Sequence, residues 1–254
     1  VSKELSKNHL LTFTAFGAPQ VHNKRSNYDG LTVQGWQEVG KYMRPGEQYR
    51  YNATYGYDRY GQIRHSQQNI YHKPQLQLQH LWQIDRTSSL NTVAYLSLGF
   101  GGGEFPRRPI GTEGLYGSNN GILATQFRNA DGTFAYGKIQ EMNAASESGS
   151  KMVMSMSKNL HKWVGLVSTY TKEINDRFNL YGGLDLRYYV GTHTNEITDL
   201  YDGAYYIDRY RKNVKPENFA GAGTNAFINK KLSVGDVVQR DYDGFVAQSG
   251  VFGQ

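Results

Sequence analysis

Residues 178–190 alternate with a strict period of two, and no other feature limits the fold of this chain so tightly. Phe178, Leu180, Gly182, Leu184, Leu186, Tyr188 and Val190 fall on one side, and Asn179, Tyr181, Gly183, Asp185, Arg187 and Tyr189 on the other. Successive side chains of a strand point to opposite faces, so this pattern specifies a β-strand with one face for lipid or a core and one for water. Residues 75–84 repeat it, with Leu76, Leu78, His80, Trp82 and Ile84 set against Gln75, Gln77, Gln79, Leu81 and Gln83. Residues 90–100 follow less cleanly, because Val93 and Tyr95 share a face with Asn91, Ser97 and Gly99. Weaker strands are expected over 9–16, 162–172 and 236–247, and residues 251–254 read as the start of a seventh.

The connections sharpen this reading. Short ones (85–89, 173–177, 248–250) alternate with long ones (17–74, 101–161, 191–235). Structureless connections of that length count against a compact soluble domain. They suit an outer-membrane barrel, with short periplasmic turns and long external loops. The expected fold is therefore all-β: an antiparallel up-and-down transmembrane β-barrel segment of about six strands. The first, third and fifth strands run outward. Leu180, Leu184 and Leu186 should face lipid, Asp185 and Arg187 the lumen, and Tyr188 the outer interfacial girdle.

Composition removes several alternatives. The chain has no cysteine, so disulfides and thiolate chemistry are absent. No run of about 18 apolar residues is present, as a transmembrane helix needs, whereas a barrel strand needs only about 9–11 residues. The net charge of +6 is scattered, and its densest patch, Arg209-Tyr210-Arg211-Lys212, is short. Nucleic acid is not an expected partner. The polar start, Val1-Ser2-Lys3-Glu4, has the character of neither a signal peptide nor an initiator.

No enzymatic constellation is visible. The histidines (9, 22, 65, 72, 80, 161 and 193) form neither His-x-x-x-His nor His-Glu-x-x-His, so no metal or other cofactor is expected. Gly99-Phe100-Gly101-Gly102-Gly103 lacks the Gly-Lys-Ser/Thr of a phosphate loop, and Ser146 to Ser150 form no nucleophile elbow. Asp185 and Arg187 are candidates for a charged pair lining a lumen, or for a structural ion pair. Trp36, Tyr49, Tyr51, Tyr55, Tyr57 and Tyr60 are candidates for a ligand-stacking surface, or for a self-packed loop. Residues 144–151 suit an exposed loop tip.

Several segments are similar to one family. Leu11-Thr12-Phe13-Thr14-Ala15-Phe16-Gly17-Ala18-Pro19-Gln20, with His22 and Arg25, resembles a strand-to-loop segment of TonB-dependent outer-membrane receptors of the Bacteroidetes type. Asn159-Leu160-His161-Lys162-Trp163-Val164-Gly165-Leu166 resembles their loop-to-strand return. Gly183-Leu184-Asp185-Leu186-Arg187-Tyr188-Tyr189, with Gly191 and His193, resembles the next outward strand. Asp199-Leu200-Tyr201, Val234-Gly235-Asp236 and Arg240-Asp241-Tyr242 fit the same order. The resemblance implies a barrel of about 22 strands around an N-terminal plug. It implies import of a scarce nutrient, with energy from the TonB complex, across the outer membrane of a Gram-negative bacterium. The implied partners are outer-membrane lipid, the plug, TonB and a surface lipoprotein lid. On this reading residues 1–254 are part of the barrel domain, without plug or closing strands. A passive porin or adhesin barrel and a soluble β-sandwich binding module are the alternatives.

Overall fold

The computed structural model describes residues 1–24, 31–107, 125–212, 225–238 and 244–253, with the backbone alone at 209–212, 225–229 and 244–253. Its main body is one antiparallel sheet, as the alternation requires. The strands follow the chain as a meander: β1 (Ser2–Ser6), β2 (His9–Phe16), β7 (Gln75–Gln83), β8 (Ser88–Arg107), β10 (Val153–Asn175), β11 (Phe178–Asp199) and β14 (Gly244–Gly253). Chain neighbours pair, and the path runs from β1 to β14 without closing on itself. The hairpin β1–β2 was not foreseen, because Ser2–Ser6 carries no apolar alternation.

Short polar side chains build the tight turns. Between β7 and β8 the Asp85 carboxylate accepts hydrogen bonds from Thr87 N and Oγ1, at 2.8 and 2.9 Å. Between β10 and β11 the Asn175 amide oxygen accepts from Arg177 N and Phe178 N, at 2.9 and 3.0 Å. Both are turns in which an Asx side chain satisfies the backbone.

At the other end the strands run further than their alternation does. β8 continues to Arg107, β10 begins at Val153 and β11 ends at Asp199. Glycine and small polar residues hide the period there. The segment 17–74 is also shorter as a loop than its sequence suggests. It contains β3 (Gln20–Asn23) and β6 (Gln68–His72), which pair with each other. β6 holds the same register on β8 as β7 does: His72 faces Phe100 and Gln75 faces Ser97. β3 holds on β6 the register of β2 on β7, with Gln20 facing Tyr71 and Phe16 facing Gln75. Each pair is therefore one long strand interrupted near a proline, Pro19 or Pro74. Proline has no N–H to give the ladder.

The three long connections fold rather than trail. The first carries a helix, α1 (Val33–Val39), a 3₁₀ turn and the short strands β4 (Gly56–Tyr57) and β5 (Ile63–Arg64). The second carries β9 (Phe134–Ala135) and α2 (Tyr136–Ala144). The third carries the hairpin β12 (Tyr206–Lys212) and β13 (Asn225–Leu232). β5, β4 and β9 form a small sheet that ties the first connection to the second. Among the described residues, the three buried apolar clusters lie in this cap or where it meets the strands. One gathers Phe127, Phe134, Tyr136, Ile139, Met152 and Tyr201; a second gathers Val153, Ile197, Leu232 and Val238; a third gathers Val39 and Tyr51.

Three expectations are corrected. The strand expected over 236–247, the turn over 248–250 and the start of another strand at 251 are replaced by the single β14. Residues 235–238 bond individually to the upper part of β11 instead, and residues 239–243 and 254 lie outside the described residues. The long connections are not structureless, since helix and cross-loop packing need tertiary partners that no local pattern announces. Residues 144–151 are exposed at Ala144, Ala145, Glu147 and Ser148, but Gly149 and Ser150 are buried beside Tyr205 and Leu200.

Candidate functional site

Register places the alternating residues in rows across the sheet. On one face Leu78, Ala94, Leu166 and Leu186 form a row. Leu76, Leu96, Val164 and Tyr188 form the next. These apolar side chains are the exposed ones: Leu76 42%, Leu78 45%, Leu98 48%, Phe100 50% and Leu184 41%. The opposite face is the more buried. Ser97 is 8% exposed between Leu96 and Leu98, and Gln75, Gln77 and Gln79 are half-buried while Leu76 and Leu78 between them are exposed. A water-soluble sheet has the reverse arrangement. From Leu90 to Phe100 the band runs about 34 Å along the strand, or about 24 Å if tilted near 45°. His9, His80 and Trp82 stack at its lower end, with a 3.0 Å hydrogen bond between His9 Nδ1 and His80 Nε2. Lys162 is an exposed cation on this face, opposite Leu98.

The polar face carries its own rows. Lys73 comes level with Gly99, His161 and Gly191; Gln75 lies in a row with Ser97, Trp163 and Tyr189; Gln77 lies in a row with Tyr95, Gly165 and Arg187. Large rings alternate with glycines, and the rings lie over them. A Cβ on Gly99 would collide with the His161 ring, and one on Gly165 with the Tyr95 ring. Trp163 meets Tyr95 and Tyr189 edge to face, with centroids 6.0 and 6.2 Å apart. Together they line a concavity of ≈ 650 Å³.

Asp185 and Arg187 share this polar face, opposite to Leu184 and Leu186, as the alternation requires. They form an ion pair at 2.9 Å, with the guanidinium 5.4 Å above the Trp163 ring. Asp185 Oδ1 and Trp163 Nε1 are buried with no hydrogen-bond partner. Each such group costs about 1–3 kcal/mol.

The loop aromatics expected to act together are dispersed. Tyr51 is 7% exposed and donates to Gly132 O at 3.0 Å, so it belongs to the core of the cap; burial raises its hydroxyl above the ordinary tyrosine value. Trp36 is 37% exposed on α1, and Tyr49 is 63% exposed on the 3₁₀ turn. Tyr55 and Tyr57 stay together, with hydroxyls 3.1 Å apart and rings edge to face. Tyr60 is exposed under the Arg59 guanidinium.

The cap is held by polar contacts that the sequence does not reveal. The fully buried Asp58 side chain accepts from Tyr60 N and Gln62 N, at 2.9 and 2.8 Å, and from Arg64 Nε at 3.0 Å. Burial pushes this carboxyl up, but those bonds together with the Arg64 charge outweigh it and hold it below the ordinary range. Arg64 also reaches Asp199 on β11 at 3.3 Å. Beside them a polar cavity of ≈ 260 Å³ opens between His65, Glu104 and Thr198. On α2, Asn143 donates to Met152 O and Leu200 O, at 2.8 and 3.0 Å, and accepts from Lys151 N.

Among the described residues no three His, Asp or Glu side chains gather as metal ligands. Tyr95, Trp163, Tyr189, His161 and Lys73 were not singled out in the sequence. Register brings them together, with glycines facing Tyr95 and His161 across the strands. The chain matches no family profile, no curated protein and no solved structure.

Proposed function

We propose that this chain forms part of the wall of an outer-membrane β-barrel. The carrying observation is the inverted burial of the sheet, with leucines exposed and serine, glycine and glutamine sheltered. Lipid on the apolar face and a lumen on the polar face make that inversion favourable. The alternation of tight turns with folded connections supports the same reading.

On the strength of the sequence resemblance, the barrel is that of a TonB-dependent receptor. It encloses a plug and imports a scarce solute with TonB-coupled energy, and its cap is placed to meet ligand or a lipoprotein lid.

The lack of cysteine makes a direct test simple. Spin labels at Leu78→Cys and Gln77→Cys in the membrane-inserted protein should differ in kind. The first should be reached by oxygen dissolved in lipid, the second by a water-soluble nickel complex. Equal access of the nickel complex to both would reject the wall and favour a soluble sandwich. Uptake by cells carrying the receptor, with and without a functional TonB system, tests the transport reading. Equal uptake in both, at normal surface expression, would select a passive porin.

A further inference from the structure

We infer that the concavity on the polar face is a binding site for a ring-bearing carboxylate, an acidic sugar or an aromatic acid. The inference deepens the proposed import function and rests on it for biological meaning, but the binding itself does not require transport.

Charge is the first argument. Lys73 and His161 line the concavity, and no carboxylate does. Lys73 has no acidic partner among the described residues; its ammonium lies 4.7 Å above the Tyr71 ring. The nearby carboxylate, Asp185, is already paired with Arg187. An anion entering the concavity therefore meets a cation whose charge is not neutralised, and charge-assisted hydrogen bonds are the stronger kind.

Shape is the second. Tyr95, Trp163 and Tyr189 hold one another by edge-to-face contacts, with Gly165 beneath the Tyr95 ring and Gly191 beside that of Tyr189. Such rings are platforms of low conformational freedom, suited to the flat face of another ring. Gln75 and Gln77 add side-chain amides, which both donate and accept and so match hydroxyl groups. A volume of ≈ 650 Å³ is within the range of small-molecule sites.

The position of the cation is the third. Lys73 sits at the break between β6 and β7, where Pro74 interrupts the strand. A regular ladder would hold residue 73 by both backbone groups. The break leaves the lysine at the rim, with its row-mate Gly99 offering no side chain of its own.

The test is isothermal titration of the intact receptor in detergent with glucuronate, benzoate and glucose. Glucuronate or benzoate should bind and glucose should not; whichever acid binds more tightly identifies the ring. Lys73→Ala should weaken acid binding about tenfold or more, and Lys73→Arg should restore it. Equal binding of glucose, unchanged affinity in Lys73→Ala, or no heat with either acid would overturn the inference. Transport is scored separately by TonB dependence, so loss of this site leaves the importer reading standing, and the converse also holds.

Discussion

The wall and the cap are made from one chain and bury opposite chemistry. In the wall, Leu78, Leu98 and Leu184 are exposed while Ser97 and Gly99 are sheltered. In the cap, Phe134, Tyr136 and Ile139 are fully buried, as in any water-soluble core. Fully burying one such side chain is worth roughly 1.5–3 kcal/mol, so the cap is stabilised by removing apolar groups from water. The wall does not do this within the chain. Its inner strands are paired on both sides, but its apolar face stays exposed. The difference teaches that the environment of each region can be read from which face its strands bury.

The largest effect that tests this contrast is in the cap. Phe134→Ala should destabilise it by about 3–5 kcal/mol through the cavity left behind. Hydrogen exchange should rise across Phe127, Tyr136 and Met152 and stay low in the lower halves of β10 and β11. Equal loss of protection in both regions would show a single cooperative unit and dissolve the comparison.

The next tests the wall. Leu184→Arg should cost about 2–4 kcal/mol if residue 184 lies near the bilayer midplane. Urea titration of the lipid-inserted protein reads this directly. An unchanged midpoint would mean that the apolar face does not meet lipid.

A smaller effect is pH-dependent and confined to the cap. The Asp58 carboxyl lies below its ordinary value in the folded state. Its stabilising contribution is therefore fully present above the unfolded value of about 3.9 and is lost as pH falls through the lower folded value. Asp58→Asn should remove roughly 1.5–3 kcal/mol at neutral pH and flatten the acid limb of cap unfolding. An acid limb as steep as that of the parent would place its origin elsewhere. The smallest effect is expected at the pair of exposed hydroxyls: Tyr55→Phe should change cap stability by no more than about 0.5–1.5 kcal/mol. A larger change would mean that this pair belongs to the core, as Tyr51 does.

The wall was legible because its two faces are unlike, apolar on one side and polar on the other, and that difference imposes a period of two on the residues between them. Strand starts at Gln75 and Phe178 follow from that pattern, and so does the opposition of Leu184 and Leu186 to Asp185 and Arg187. The pattern fades at Gly99 and beyond Val190, where the strands meet the cap and both faces change environment. That is why β8, β10 and β11 extend further than their alternation. Tyr51 shows the converse. Its neighbours on the chain are polar and aromatic alike, and Val39, together with Gly132 and Arg128 brought by another connection, makes it a core residue.

The sequence alone determined the antiparallel β class, the strand faces and the tight turns after Gln83 and Asn175, since these depend on side-chain period and on local Asx chemistry. Tertiary structure decided the rest: the strands continued past Pro19 and Pro74, the cap and its buried Asp58, and the row of Lys73, Gly99 and His161. Those depend on register and on contacts between residues far apart in the chain. Cross-strand register joins positions that no local window contains, and it is fixed only when whole strands have paired.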